Sequence, residues 1–373
     1  MYKKPDLTLL FSILILTFIS LFGIYSSSRT APHFFYKQLA FVLISIFLTS
    51  LISKVDIYLL KYPYVLTILL AINILLLVGL FIFGANINGT HRWYSIFGFS
   101  IQPAEFTKYL LIIIVSGLLT NETLSVKTMF LIILPLLLVN YLLIFLQPDN
   151  GTVIMNVFVI GIIFLTWAIE RFSLFKILIS SISTIAVLLL IATFMWKANL
   201  LPNYVKVRVY PFISKSSKKE EHLHIRNSKI AIGSGGFWGK GMLAGDQSRL
   251  HFLPEYRTDF IYATICEEQG LFVGLIIFIA YALLLFRIYA ISLTVEDEFL
   301  KLISLGILVK LWIEFFVNLG MELGLTPAKG VALPFLSYGG SSTIANFIAI
   351  GLILNMNNIV ASSKDSSRLN IRL

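Results

Sequence analysis

"YVLTILLAINILLLVGLFIFG", residues 64–84, runs for 21 positions without one charged side chain. A helix rises about 1.5 Å per residue, and the hydrocarbon core of a bilayer is about 30 Å thick, so a stretch of this length and character reads as a membrane span. Similar runs recur near 7–26, 34–53, 104–120, 126–147, 151–169, 173–194, 269–291, 302–322 and 341–360. The expected fold is therefore an all-α polytopic membrane protein of about ten transmembrane helices. Residues 1–373 form one integral-membrane domain, with a single large extracytoplasmic loop at about 195–268 between helices 7 and 8.

Composition supports this reading. Of the 373 residues, 58% are hydrophobic and 13% charged, whereas about 25% are charged in soluble domains. A transmembrane β-barrel is excluded, because its strands alternate in hydrophobicity instead of running apolar throughout. The first run follows Lys3 and Lys4, but it is too long for a cleaved signal segment and lacks a closing small-residue pattern. It reads as an uncleaved first helix.

Placing the N-terminus in the cytoplasm assigns twelve lysines and arginines to cytoplasmic ends and four to short outer loops, which favours both termini inside. The formal charge of +10 is thus partly a topology signal, and no nucleic-acid motif accompanies it. The long loop carries eleven Lys or Arg against seven Asp or Glu. That basic surface suits an anionic lipid head group, and an ordinary solvated loop fits the charge equally well. Within it, "SKSSKKEEHLH", 214–224, reads as a mobile hydrophilic stretch. Cys266 is the only cysteine, excluding an intramolecular disulfide and a cysteine zinc cluster. His222 and His224 read as solvated loop residues before metal ligands.

Four segments on the outer side hold most of the unusual residues. "GSGGFWGKG", 233–241, lacks the spacing and the Ser or Thr of a phosphate loop; a compact turn competes with a diphosphate cradle built from backbone amides. Glu105 and Lys108 stand three apart in the fourth span and share a helix face, as a structural ion pair or as a site wall. Trp93 and Tyr94 read as interfacial aromatics or as site residues. Lys310, Glu314, Asn318 and Glu322 form a polar stripe along the ninth span, which reads as a hydrated cavity or as hydrogen-bonded helix locking. "LGLTPAKGVALPFLSYGGSS", 323–342, must be buried in protein or line a cavity if it dips toward the membrane. In "FLPEYRTDFIYATICEEQG", 252–270, Pro254 disfavours a preceding helix, and Thr258 or Asp259 can cap one that follows. Capping leaves Glu267, Glu268 and the neighbouring Arg257 unexplained.

Taken together and in order, "INGTHRW", "QPAEFTK", "QPDNGT", "GSGGFWGKG", "FLPEYRTDFIYATICEEQG" and "NLGMELGLTPAKGVALPFLSYGGSS" resemble the SEDS family (shape, elongation, division and sporulation). Within it they resemble the RodA type more than the FtsW type. The resemblance implies a peptidoglycan glycosyltransferase polymerising lipid II, the undecaprenyl-diphosphate disaccharide pentapeptide, on the outer face of the cytoplasmic (inner) membrane during elongation. It implies a class B penicillin-binding protein transpeptidase as partner, and Asp259, the Asp of "TDF", as catalytic residue. His91 with Arg92 replaces the family's common double-basic pair, and Ala104 stands where a serine is common.

This chemistry needs a base to deprotonate the attacking sugar hydroxyl and cations to meet the departing diphosphate. Asp259 is the expected base. Arg92, Lys108, Arg208, Lys240, Arg257 and Lys329 are the candidate cations, with Trp93, Glu105, Glu255 and Ser337 completing the substrate-binding set. A divalent cation, Mg or Mn, is a candidate to share the charge, and the metal ligands are unassigned. A lipid II flippase or other transporter would share the intramembrane ion pairs and broken backbone, but it needs a polar path through the cytoplasmic half. A catalytically silent scaffold would need no ionisable Asp259.

Overall fold

The computed structural model describes residues 6–28, 31–87, 90–96, 98–172, 219–250, 252–253, 255–326 and 330–370. Local chemistry sets where its helices begin. Helix α1 (Leu7–Ser27) follows Asp6, whose carboxylate accepts from the Leu9 amide at 3.2 Å. Helix α2 (His33–Ile52) and a short 3-10 turn (Ile57–Lys61) lead to α3 (Pro63–Phe83). Proline opens both α3 and α4 (Pro103–Leu119), where its missing N–H costs nothing. Ser125 caps α5 (Val126–Leu146) and Asp149 caps α6 (Asn150–Arg171). Then come α7 (Lys219–Ser234), the four-residue α8 (Asp246–Arg249), α9 (Ile261–Thr294), α10 (Glu298–Glu322) and α11 (Gly340–Asn370).

Eight of these helices are long and apolar enough to cross a membrane: α1, α2, α3, α5, α6, α9, α10 and α11. Helix α4, of 17 residues, matches the fourth expected span. Nine of the ten expected spans are thus helices here, and the chain is a multi-pass membrane protein. The seventh span, 173–194, and loop residues 195–218 lie outside the described residues.

Leu111, Ile112 and Val115 of α4 pack in one core with Leu302, Ile303 and Leu311 of α10 and with Tyr281 and Leu284 of α9. Leu75, Ile82 and Leu138, on α3 and α5, face outward, as lipid-facing residues do. Lipid tails are as apolar as leucine, so polar links help fix such helices together. Asn73 of α3 donates to Asn140 of α5 at 2.6 Å and accepts from Thr107 of α4 at 2.6 Å.

Three features depart from the sequence expectation. The chain is not wholly helical: β1 (Ala85–Ile87), β2 (Thr90–Ile96) and β3 (Phe99–Ile101) form an antiparallel sheet in the order β1-β2-β3. The β-branched and aromatic residues of "THRWYSI" suit strand geometry. The stretch expected to be a mobile loop becomes helical from Lys219 onward.

The eighth span starts earlier than hydropathy suggested, at Ile261, and breaks at Gly270, where φ is +83°. A break frees backbone groups that lipid cannot satisfy. The 233–241 stretch satisfies them. The Leu271 and Phe272 amides donate to the Gly236 and Phe237 carbonyls at 2.9 and 3.1 Å, while the Lys240 and Gly241 amides donate to the Glu267 and Glu268 carbonyls at 3.0 and 2.9 Å. A Cβ on Gly239 would stand 2.2 Å from the Glu268 carbonyl oxygen, and one on Gly270 2.3 Å from that of Phe237. Of the two readings of this stretch, the compact turn is the one the fold uses.

Residues 330–339 carry no regular structure between α10 and α11, and Val331, Leu333, Phe335, Leu336 and Ser337 are buried in protein. Surrounding side chains satisfy their backbone. Asn318 donates to the Val331 carbonyl at 2.7 Å, Ser20 to that of Leu336 at 2.7 Å, and the Tyr281 hydroxyl to that of Pro334. Gln38 accepts from the Gly339 amide at 3.2 Å. This is the buried alternative expected for the segment.

Candidate functional site

Asp259 lies on the turn that enters α9. Neither Thr258 nor Asp259 caps that helix; the N-cap is Phe260, with no side-chain bond to the helix. Neighbouring elements hold the turn instead. Asn318 of α10 donates to the Asp259 carbonyl at 2.8 Å, the Ser337 hydroxyl donates to the Thr258 carbonyl at 2.5 Å, and the Tyr338 amide donates to the Arg257 carbonyl at 2.9 Å. A Cβ on Gly330 would stand 3.0 Å from Asp259 Oδ2, so the 330–339 segment passes directly against the carboxyl.

The residue as a whole keeps partial exposure, but its carboxyl group is desolvated. Burial pushes it up to about 7, the Glu255 carboxylate adds to the rise, and a hydrogen bond from Thr258 opposes it. Among the described residues no lysine, arginine or histidine pairs with it. A carboxyl with this proton affinity is matched to general-base work near neutral pH.

Arg257 does not pair with Asp259. Its Nε and Nη2 donate to the Ser27 carbonyl of α1 at 3.1 and 2.7 Å, and its guanidinium lies over the Phe34 and Tyr256 rings at 4.6 and 4.5 Å. Beside this anchor, Tyr25, Ser28, Pro32, Phe35, Tyr36 and Leu243 line a mostly apolar cavity of about 190 Å³. Glu255, at φ +50°, accepts from the Thr258 hydroxyl at 3.1 Å and is exposed.

The other candidate cations among the described residues are also engaged. Arg92, on β2, donates to the Gln147 carbonyl at 2.7 Å and to that of Pro148, with Asp149 at 3.9 Å. Trp93 beside it faces Ala85 across the sheet. Lys240 bridges Asp246 at 3.0 Å and Glu267 at 2.8 Å. Glu267, fully buried, also accepts from the Asp246 and Gln247 amides at 2.9 and 3.2 Å. That explains one acid of the 252–270 stretch as the anchor of the loop before α9. Arg208 and Lys329 lie outside the described residues.

Glu105 and Lys108 form the expected i, i+3 pair at 2.8 Å, within a larger network. Lys108 also meets Glu314 at 2.7 Å, Glu314 meets Lys310 at 2.7 Å, and Lys310 donates to Asn346 at 2.6 Å. Sequence spacing found both local pairs and missed the Lys108–Glu314 contact between α4 and α10. Asn318 and Glu322 continue the α10 face to the Asp259 turn, where Glu322 accepts from the Ala263 amide at 2.5 Å. The stripe therefore works as hydrogen-bonded locking. The role of Glu322 is the one that sequence reasoning did not identify; its four-residue step beyond Asn318 was the signal.

No group of three or more His, Cys, Asp or Glu able to hold a metal ion occurs among the described residues. The divalent-cation candidate finds no ligand set there, and no chemical step is assigned to it.

A family model, described as the FtsW, RodA and SpoVE cell cycle protein family, matches residues 5–361. The chain is 32% identical over 364 residues to a probable peptidoglycan glycosyltransferase FtsW of Trichlorobacter lovleyi, covering 94% of this chain and 92% of that one. It is 35% identical over 293 residues to the peptidoglycan glycosyltransferase MrdB of Escherichia coli, covering 76% and 75%. Among solved structures, a chain of a peptidoglycan synthase complex that coordinates polymerization and crosslinking superposes with a TM-score of 0.79 at 23% identity, covering 96% of this chain and 99% of that one.

Proposed function

The chain belongs to the FtsW, RodA and SpoVE (SEDS) family, and from that premise we propose that it is a peptidoglycan glycosyltransferase with Asp259 as its base. Relatives named FtsW and MrdB both match, so the activity assigned is the glycosyl transfer their names share, with an elongation role and a division role as its two settings. The substrate is lipid II, polymerised on the outer face of the cytoplasmic membrane. Both termini lie in the cytoplasm, and a class B penicillin-binding protein crosslinks the product.

The observation that carries the reading is the Asp259 carboxyl: desolvated, without a cationic partner among the described residues, and raised to about 7 on a turn held from α10 and from the 330–339 segment. In the proposed step the carboxylate takes the proton of an acceptor sugar hydroxyl as that oxygen bonds to the anomeric carbon of the donor. The bond from that carbon to the diphosphate oxygen breaks, and the lipid diphosphate leaves with both electrons. Direct attack inverts the anomeric centre.

Four of the candidate diphosphate cations, Arg92, Lys108, Lys240 and Arg257, are bonded within the fold. Arg208 and Lys329, outside the described residues, stay as the candidates to meet the leaving group. Arg257 supports the site by fixing the turn to α1. The flippase reading is less favoured, because Glu105, Lys108, Glu314 and Lys310 inside the bundle are paired with one another.

The test is polymerisation of purified lipid II by the detergent-solubilised protein, with and without its penicillin-binding partner. Long glycan from the wild type and none from folded Asp259→Asn supports the assignment. Equal polymerisation by both removes Asp259 from the chemistry, and no product from the wild type with its partner returns the flippase and scaffold readings.

A further inference from the structure

Glu322, at the end of α10, is fully buried, and the family resemblance gives it no role. One carboxylate oxygen accepts from the Ala263 amide at 2.5 Å. Its other oxygen, Oε1, is buried without a hydrogen-bond partner. Four residues earlier on the same helix face, Asn318 donates to the Asp259 carbonyl at 2.8 Å. One face of α10 therefore holds both ends of the segment 259–263, the first by its carbonyl and the second by its amide.

Local backbone bonds close the turn, with the Asp259 and Phe260 amides donating to the Glu255 carbonyl at 3.0 and 3.2 Å, but no local side chain accepts from the first amides of α9. Its N-cap, Phe260, supplies no side-chain acceptor, so the first amides of α9 depend on Glu322. A serine or aspartate at position 260 would cap the helix locally, without burying a carboxyl in the bundle. Burying one with an unpartnered oxygen is costly, which sets Glu322 apart from an ordinary cap. The carboxyls of Glu322 and Asp259 are also within electrostatic range of each other.

We propose that Glu322 is a positioning residue for Asp259, fixing from α10 the turn on which the base stands. The inference rests on Asp259 being the base. Among the described residues, the other titratable groups around the pair are Glu255 on the same turn and Tyr262 and Cys266 on α9. On α7, Lys229 stands against Gly324, just past the end of α10. Misplacing a reacting group by about 1 Å can cost about 100-fold in rate, and such a loss falls on turnover while substrate binding is kept.

The experiment measures lipid II polymerisation by the full chain with its penicillin-binding partner for wild type, Glu322→Leu, Glu322→Asp and Glu322→Gln, with kcat and KM per folded molecule. Glu322→Leu removes the acceptor. It is expected to lower kcat by about 100-fold with KM unchanged, and Glu322→Gln, which keeps an acceptor oxygen, to recover most of the loss. Wild-type kcat in folded Glu322→Leu overturns the proposal, as does a loss that vanishes once activity is divided by folded protein. If Glu322→Leu fails to fold, Glu322→Asp decides: it withdraws the acceptor by one methylene, and wild-type kcat there overturns the proposal as well. Asp259→Asn, assayed in parallel, separates the two readings. If it is active, the assignment of the base falls and the inference with it; if it is inactive while the Glu322 variants keep wild-type kcat, the inference alone falls.

Discussion

Two clusters of ionisable groups lie at opposite ends of one face of α10, and they are built on opposite rules. Toward the bundle interior, Glu105, Lys108, Glu314 and Lys310 form a chain of two acids and two bases with contacts of 2.7 to 2.8 Å. Two turns away, Asp259 has neighbours of its own sign and pairs with no cation among the described residues. Its restraints act on backbone: Asn318, Ser337 and Glu322 hold the 258–263 turn and leave the carboxyl without a cationic partner among the described residues. Charges that pair fully are locked into one protonation state and fix the geometry. A carboxyl held in place and denied a cation keeps a proton affinity that chemistry can use.

The largest effect expected from this contrast is on turnover. Asp259→Asn keeps the size of the side chain and removes the base, so polymerisation should fall by roughly 100- to 10,000-fold with the thermal midpoint unchanged or raised. The partner cluster should answer in the other direction. Lys108→Met leaves Glu105 without its cation and Glu314 with Lys310 alone, and breaking a buried ion pair by removing one member costs about 3–5 kcal/mol. Thermal unfolding in detergent should show that loss, and activity per folded molecule should change far less than in Asp259→Asn. Equal loss of turnover from both variants, measured per folded molecule, would erase the distinction between holding and reacting charges.

A pH series sharpens the same contrast. With Asp259 raised to about 7, kcat/KM should fall about tenfold for each pH unit below that value, because the base is then protonated. The stability linkage runs the opposite way. The folded state holds this proton more tightly than the unfolded state, so the contribution is fully present below the ordinary carboxylate value of about 4 and is lost as pH rises through about 7. Asp259→Asn should abolish that acidic limb of activity and be more stable than wild type above pH 7, a trade commonly found at catalytic positions. A wild-type acidic limb near pH 4 would remove the evidence for a desolvated base.

Much of this arrangement was legible in the chain, and the illegible part has a common cause. Length and hydropathy located the spans, because crossing a bilayer demands continuous apolar helices. Spacings of three and four found Glu105–Lys108 and Lys310–Glu314, since a helix places such residues on one face. The Lys108–Glu314 contact and the anchoring of Arg257 on Ser27 join residues 206 and 230 positions apart, and no local period encodes them. The missing cap of α9 has the same origin: Phe260 looks unsuited to begin a helix because the acceptor arrives from Glu322. The small sheet was missed although Asn88-Gly89, ahead of "THRWYSI", is a hairpin signal. The break at Gly270 sits at the edge of the apolar run, just after Glu267, Glu268 and Gln269, and hydropathy carries no record of backbone direction.

The smallest effect belongs to the tie between the two irregular segments. Ser337 accepts from the Leu333 amide at 2.7 Å and donates to the Thr258 carbonyl at 2.5 Å, so one hydroxyl closes the 330–339 segment and fastens it to the Asp259 turn. Ser337→Ala leaves a buried amide and a carbonyl unmet, at a cost of about 1–3 kcal/mol. Tyr338 still bonds the Arg257 carbonyl and Asn318 still bonds that of Asp259, so the turn should stay in place. The expected variant is destabilised in thermal unfolding, with kcat per folded molecule lowered only a fewfold and the acidic limb of its pH profile unmoved. A limb displaced by a full pH unit would mean that desolvation of the base depends on how tightly the 330–339 segment closes over it, and Ser337 would then belong with the groups that tune Asp259.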